Sequence, residues 1–108
     1  MSPFEQAKAL DMQLRSIVSS FDAEAQPPAE RELLNSFKRM IADVRLDMRD
    51  YGMAETRTEQ CDLAQAATRR LVQLEATVVK SSEYGLLSAA DVAQLSARIR
   101  QLIAEIAA

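Results

Sequence analysis

The fold class is decided by residues 88–106, which read SAADVAQLSARIRQLIAEI. Their apolar side chains recur at spacings of three and four residues, which is the pattern that one face of an α-helix produces. This stripe consists of Val92, Leu95, Ile99, Leu102, Ile103 and Ile106. Ser88 is placed to cap the helix, because its hydroxyl can accept a hydrogen bond from the backbone N–H of Asp91.

Three stretches upstream show the same periodicity and predict three more helices. The first begins at a capping box, Ser2 to Glu5, and carries Ala7, Leu10, Leu14, Ile17, Val18 and Phe21. The second starts near Pro28 and carries Leu33, Leu34, Phe37, Met40, Ile41, Val44, Met48 and Tyr51. The third carries Gln60, Leu63, Ala64, Ala67, Leu71, Leu74 and Val78.

The segments between these stripes contain the residues that end and begin helices. Residues 22–28 are predicted to be a loop, because the paired prolines Pro27 and Pro28 prevent a preceding helix from continuing. Gly52 is predicted to end the second helix through a left-handed backbone, and Gly85 to end the third in the same way. A second capping box, Thr56 to Glu59, is predicted to start the third helix.

These elements predict an all-α fold, specifically an antiparallel up-down-up-down four-helix bundle that forms one domain over residues 1–108. A chain of 108 residues is the size of a single domain. Short loops place consecutive helices antiparallel to each other. Two glycines and three prolines are too few for the frequent turns of an all-β fold.

Composition excludes several kinds of chemistry. The chain has no histidine and a single cysteine, which excludes imidazole-based acid–base catalysis, imidazole–metal sites and a disulfide within the chain. Its carboxylates are expected on outward faces, with none in the apolar stripes, and Cys61 is expected to be a small buried hydrophobe. We therefore expect no catalytic, cofactor or metal site, no small-molecule substrate and no enzymatic activity.

Hydropathy and the first residues of the sequence together predict the location. No uninterrupted apolar run exceeds three residues, so we expect no membrane-spanning segment. The first residues lack the basic and apolar regions of a secretory signal. The expected location is the cytoplasm.

The second helix separates its charges into two flanks. A basic flank, within about 40° on the helical wheel, consists of Arg31, Lys38, Arg45 and Arg49. An acidic flank on the other side consists of Glu32, Asp43, Asp47 and Asp50. Two interpretations remain open: identical subunits packed edge to edge in a ring, or a solvated face with chance clustering. Because the net charge is −3, nucleic acid could bind only through a local basic patch such as this flank.

Some apolar residues lie off the predicted core stripes and are candidate oligomer contacts: Leu46, Cys61, Val72 and Val79. Leu46 projects away from the core side of the second helix. The other three form a second stripe on the third helix. Such a stripe indicates either a partner surface or a deeply buried helix.

Several motifs together resemble a known family. Residues 27–34, PPAERELL, are similar to the start of helix two in a superfamily of small bundles. Residues 63–74, the turn SEYGLLS at 82–88, and residues 95–103 resemble the end of the same proteins. The superfamily comprises proteins of bacterial ribosomal-RNA intervening sequences and the accessory variability determinants of diversity-generating retroelements. The resemblance covers almost the whole chain from Phe4.

The resemblance implies a ring of five bundles and no catalytic site. In the retroelement branch, the protein binds a reverse transcriptase and its RNA through a basic surface. It therefore implies a non-enzymatic oligomeric accessory protein, with Arg31, Lys38, Arg45 and Arg49 as candidates for RNA or partner contact. The alternative is an acidic protein-only adaptor or chaperone, which would bind a partner helix through Leu46, Val72 and Val79.

Overall fold

The computed structural model of this chain describes residues 2–19 and 28–107. Four helices account for nearly all of them: α1 (Pro3–Ser19), α2 (Pro28–Met53), α3 (Arg57–Glu83) and α4 (Ala89–Ala107). Neither described range contains a strand, and the all-α class is confirmed. Residues 22–27 of the predicted loop, and the predicted core side chains Val18 and Phe21, lie outside the part that is described.

Three hydroxyl side chains cap the helices as predicted. Each accepts a hydrogen bond from the backbone N–H three residues further along, which satisfies a donor that a helix start leaves open. These bonds join Ser2 Oγ to Glu5 N at 3.2 Å, Thr56 Oγ1 to Glu59 N at 3.1 Å, and Ser88 Oγ to Asp91 N at 3.1 Å. Local sequence therefore sets where α1, α3 and α4 begin.

The two glycines behave differently. Gly85 has a φ of +75° and follows α3, while Leu86 N–H donates to the Ser81 carbonyl at 3.1 Å, so the predicted glycine cap is confirmed. The predicted break near Gly52 is confirmed, because α2 ends at Met53 and α3 begins at Arg57. The left-handed backbone predicted for Gly52 is wrong, since its φ is not positive. A glycine within a helix costs only ~1 kcal/mol relative to alanine, so α2 can include Gly52 in its last turn.

The helices form a closed square in which each contacts two neighbours. α1 and α3 each pack on α2 and α4, with α2–α3 the most extensive interface and α1–α4 the least. Asp47 is hydrogen-bonded to Arg70, and Met40 contacts Thr77, so lower residue numbers on α2 lie opposite higher ones on α3 and the two helices are antiparallel. Between α1 and α4, Gln6 bonds to Glu105 and Gln13 to Gln94, again in opposite directions. The up-down-up-down bundle is confirmed.

The predicted stripes meet in one core along the bundle axis. Its largest fully buried members come from all four helices: Leu10, Leu14, Leu34, Phe37, Ile41, Val44, Met48, Leu71, Leu74, Leu95, Ile99 and Leu102. Burying each such side chain contributes roughly 1.5–3 kcal/mol. Since the core occupies the inner faces of the helices, any binding surface lies on their outer faces and in the grooves between them.

Candidate nucleic-acid interface

A carboxylate is buried between α1 and α2. The side chain of Asp11 is only 3% exposed, so the expectation that no acidic residue lies within the apolar stripes is wrong. It follows Leu10 directly, at the edge of the stripe where α1 meets α2. Asp11 Oδ1 accepts a hydrogen bond from Arg15 Nε at 2.8 Å, and Oδ2 accepts one from Arg45 at 2.6 Å. Both oxygens are paired, which is the condition for burying a carboxylate at tolerable cost.

The partners of this carboxylate extend towards solvent. The Arg15 side chain is 62% exposed and that of Arg45 is 33% exposed. Arg45 is one of the four predicted basic residues, and the structure ties it to Asp11 across the α1–α2 groove. The position of Arg45 shows that the basic flank lies on the side of α2 next to α1.

Two residues of α1 therefore join the basic flank. Lys8 lies three residues before Asp11 and Arg15 four residues after it, so all three occupy the same side of α1. We call the resulting surface the basic strip; it consists of Lys8, Arg15, Arg31, Lys38, Arg45 and Arg49. All are exposed except Arg45, which is half-buried. At ~1.5 Å per residue, the strip is about 27 Å long between Arg31 and Arg49.

Lys8 and Arg15 were not among the residues predicted for this surface. The sequence carries a weak signal for them, because Lys8, Asp11 and Arg15 follow helical spacing on one side of α1. That spacing does not say which neighbouring helix they face. The contact between Asp11 and Arg45 supplies this information, and it requires the register of α1 against α2.

Arg49 shows that the strip is a solvated surface at this end of α2. Its guanidinium lies 3.3 Å from the carboxylate of Asp50, and both side chains are at least half exposed. An exposed pair of this kind contributes at most ~1 kcal/mol and is readily exchanged for another anion. Arg49 therefore remains accessible to a ligand.

The acidic flank of α2 faces α3. Asp47 accepts a hydrogen bond from Arg70 at 2.7 Å, and the same Arg70 nitrogen lies 3.5 Å from the backbone carbonyl of Asp43. Burial raises the pKa of Asp47 above its ordinary value, against the opposing effect of Arg70 and with a further small increase from Asp43 and Asp50. The two flanks of α2 thus each find an oppositely charged partner on a different neighbouring helix.

The four apolar candidates do not form one patch. Leu46 lies on α2 and is 49% exposed, whereas Val72 and Val79 lie on α3 and are 55% and 46% exposed. On α3, residue Glu75 bonds to Arg100 of α4, and Val72 and Val79 share the side of Glu75 by helical spacing. The valines therefore lie on the α4 side of α3, away from Leu46.

Cys61 departs from its predicted environment. It is exposed and its thiol is free, so the expectation of a buried hydrophobe is wrong. Cys61 lies at the start of α3 on the same side as Val72 and Val79, where the helix faces solvent. Because this whole stripe is exposed, the interpretation of α3 as a helix buried on all sides is also wrong for the single chain.

One open cavity lies at the end of the bundle where α2 and α4 finish and α3 begins. Its volume is about 580 Å³, and Tyr51, Arg57, Cys61, Arg69 and Ile106 are among its lining residues. Within the described residues, no group of three or more cysteine or acidic side chains is arranged to hold a metal ion. Nor does any helix there have the length and apolar character needed to cross a bilayer.

The basic strip places six cations along adjoining sides of α1 and α2, and buried Asp11 links two of them. Phosphate groups are the ligands that such a row of arginine and lysine side chains favours. No family model, curated protein or solved structure matches this chain.

Proposed function

We propose that this chain is a non-enzymatic accessory protein that binds RNA along the basic strip and acts together with a reverse transcriptase in a diversity-generating retroelement. The observation that carries the RNA-binding part is the pair of bonds at Asp11, which bring Arg15 of α1 beside Arg45 and the basic flank of α2. The partner enzyme follows from the family resemblance of the sequence. The chain itself contributes binding, with no chemical step.

The charge distribution supports a specific surface over general attraction. The chain as a whole has a net charge of −3, so a polyanion gains nothing from approaching it at random. The carboxylate of Asp11 is buried and already paired with two arginines of the strip. A phosphate backbone that follows the basic flank of α2 from Arg31 to Arg49 would therefore meet positive charge along about 27 Å.

The test measures binding of a fluorescently labelled single-stranded RNA by anisotropy over a range of salt concentrations. The strip variant changes Arg31, Lys38 and Arg49 to glutamate and leaves Arg45 in place, because Arg45 is needed to pair buried Asp11. We expect binding to be lost, with a reduced salt dependence, since each phosphate contact contributes about −0.7 to the slope for single strands.

A matched control separates the strip from net charge. Changing Arg57, Arg69 and Arg98 to glutamate alters the total charge by the same amount on exposed residues outside the strip. The control is expected to bind RNA as the unmodified chain does. Equal losses in the two triple variants, or no RNA binding by the unmodified chain at low salt, would contradict the proposal.

Self-association belongs to a separate surface in this proposal. Cys61, Val72 and Val79 follow one side of α3 and are exposed, which suits contact with a second copy. A pentamer would have a mass of about 60 kDa, from five chains of 12.0 kDa. Size exclusion with light scattering measures this mass directly, and a monomer would exclude the ring.

The second candidate function is a protein-only adaptor, favoured by the same exposed valines. Val72 and Val79 are separated by two helical turns, the spacing that an amphipathic partner helix uses for its anchors. Leu46 lies on another helix and does not extend this anchor line. The adaptor predicts no affinity for RNA and partner binding that changes little between low and high salt, whereas the RNA proposal predicts the opposite.

A further inference from the structure

The two arginines on Asp11 are held in a geometry that suits a phosphate group. Arg15 donates its Nε–H to one carboxylate oxygen, and Arg45 donates from a terminal nitrogen to the other. A guanidinium has five N–H donors, and within the described ranges Asp11 is the only acceptor for either side chain. Most N–H donors of Arg15 and Arg45 therefore remain available to a ligand, while the Asp11 carboxylate holds both guanidinium groups in place.

We propose that Asp11, Arg15 and Arg45 form a phosphate clamp, in which the buried carboxylate positions two guanidinium groups to bind one phosphate of a nucleic-acid backbone. This inference deepens the proposed function and rests on it for the identity of the ligand. Asp11 is a positioning residue, because its oxygens contact the arginines and not the phosphate. Arg15 and Arg45 are the groups that bind.

The clamp differs in physical character from the rest of the strip. Lys8 and Lys38 are exposed side chains that lose rotamer freedom when they bind a phosphate. Arg15 and Arg45 have already lost part of that freedom, because each is hydrogen-bonded to Asp11. Their planar, multidentate groups also match the oxygens of a phosphate better than a single ammonium does.

The change Asp11→Asn distinguishes this clamp from a surface that binds by charge alone. It removes a negative charge from the middle of the strip, so a charge-only surface would bind RNA more tightly and with a steeper salt dependence. In the clamp each arginine donates to a different oxygen of Asp11, and in asparagine one of these oxygens is replaced by an NH2 donor, so one guanidinium loses its acceptor. We expect binding to weaken by roughly fivefold to tenfold despite the added positive charge.

A second variant disturbs the folded state little, because Arg15 is 62% exposed. Arg15→Lys keeps the charge of an exposed residue but removes the planar group, and we expect roughly threefold weaker RNA binding. The matched control is Arg100→Lys, since Arg100 Nε also lies 2.8 Å from a carboxylate, that of Glu75, but on the far side of the bundle. The control is expected to leave RNA affinity unchanged.

The experiment combines RNA anisotropy with an NMR titration of the arginine Nε–Hε groups by inorganic pyrophosphate. The clamp predicts shifts concentrated on Arg15 and Arg45 that are lost in Asp11→Asn, whose helical content is checked by circular dichroism. Shifts spread evenly over exposed arginines, or unchanged RNA binding by Arg15→Lys, would overturn the clamp. Pyrophosphate shifts at Arg15 and Arg45 without any RNA binding would support the clamp and overturn the proposed RNA ligand.

Discussion

Removing Arg45 is the sharpest test of how the α1–α2 groove is held together. In Arg45→Met the long apolar part of the side chain is kept while its guanidinium is lost. Its 2.6 Å bond to Asp11 is charge-assisted, and such bonds contribute ~1.5–3 kcal/mol. Complete removal of a buried partner costs about 3–5 kcal/mol. Because Arg15 still pairs with the other oxygen, we expect a loss of roughly 2–3 kcal/mol in the free energy of unfolding.

Two further variants show where that free energy resides. Arg15→Met removes a partner that is 62% exposed, so its expected cost is at most ~1 kcal/mol. The double change Asp11→Leu with Arg45→Met removes the buried carboxylate and its main partner together. We expect the double variant to be about as stable as the unmodified chain, since apolar replacement of a buried ion pair is frequently neutral or stabilising.

Urea unfolding followed by the helical circular dichroism signal gives these free energies, and thermal unfolding provides an independent check. For a domain near this size, 1 kcal/mol corresponds to a shift of about 4–8 °C in Tm. The reasoning is refuted if Arg45→Met costs less than ~0.5 kcal/mol, or if Arg15→Met costs as much as Arg45→Met.

Three other predictions concern the core, the two glycines and the acidic flank. Leu71→Ala, at a fully buried position of α3, should lower the unfolding free energy by about 2–5 kcal/mol in urea titrations; a loss below ~1 kcal/mol would mean that the core is less well packed than described. Gly85→Ala should destabilise the chain by roughly 1–2 kcal/mol, because the φ of Gly85 is +75°. Gly52→Ala should stabilise it by up to ~1 kcal/mol, since a Cβ there meets nothing within 4 Å. Shifts in Tm of the same sign for the two variants would contradict this. Because burial raises the pKa of Asp47 in the folded chain, the folded chain takes up this proton at a higher pH than the unfolded chain does. The stability of the unmodified chain relative to Asp47→Asn should therefore rise as pH falls through the folded-state pKa. It should level off below the unfolded-state pKa. Paired urea titrations across acidic pH check the sign, and an advantage that grows with increasing pH would be inconsistent with a raised pKa.

The helices were predictable because their signals are local. The stripe from Val92 to Ile106 and the cap at Ser88 lie within a few turns of each other, and the structure places both as the sequence predicts. Short connections then leave few ways to arrange four such helices. The left-handed cap expected at Gly52 fails although the helix end is nearly right: α2 ends one residue later, and the backbone of Gly52 is not left-handed.

The environments of single polar residues were not predictable in this way. Asp11 lies at the boundary of its stripe, and whether it faces solvent or a basic partner depends on the register of α1 against α2. Cysteine is a residue type that is usually buried, yet Cys61 lies on the exposed side of α3. Helical spacing assigns a residue to a side of its own helix, while the neighbouring helix decides whether that side is covered.

The charge pattern of α2 now has an origin within one chain. Arg45 pairs with α1 through Asp11, and Asp47 pairs with α3 through Arg70, so opposite flanks match opposite neighbours. An edge-to-edge ring is therefore not needed to explain the segregation of charge on α2.

The same cations cannot serve a ring contact and an RNA contact at once. If identical subunits packed basic flank against acidic flank, Lys38 and Arg49 would be covered, and a phosphate backbone could not reach them. A ring that leaves the strip open must instead use another face, and the exposed valines of α3 provide one. The strip variant therefore decides between the two arrangements: unchanged oligomer mass with lost RNA binding assigns the strip to RNA, and a fall in mass assigns it to the subunit interface.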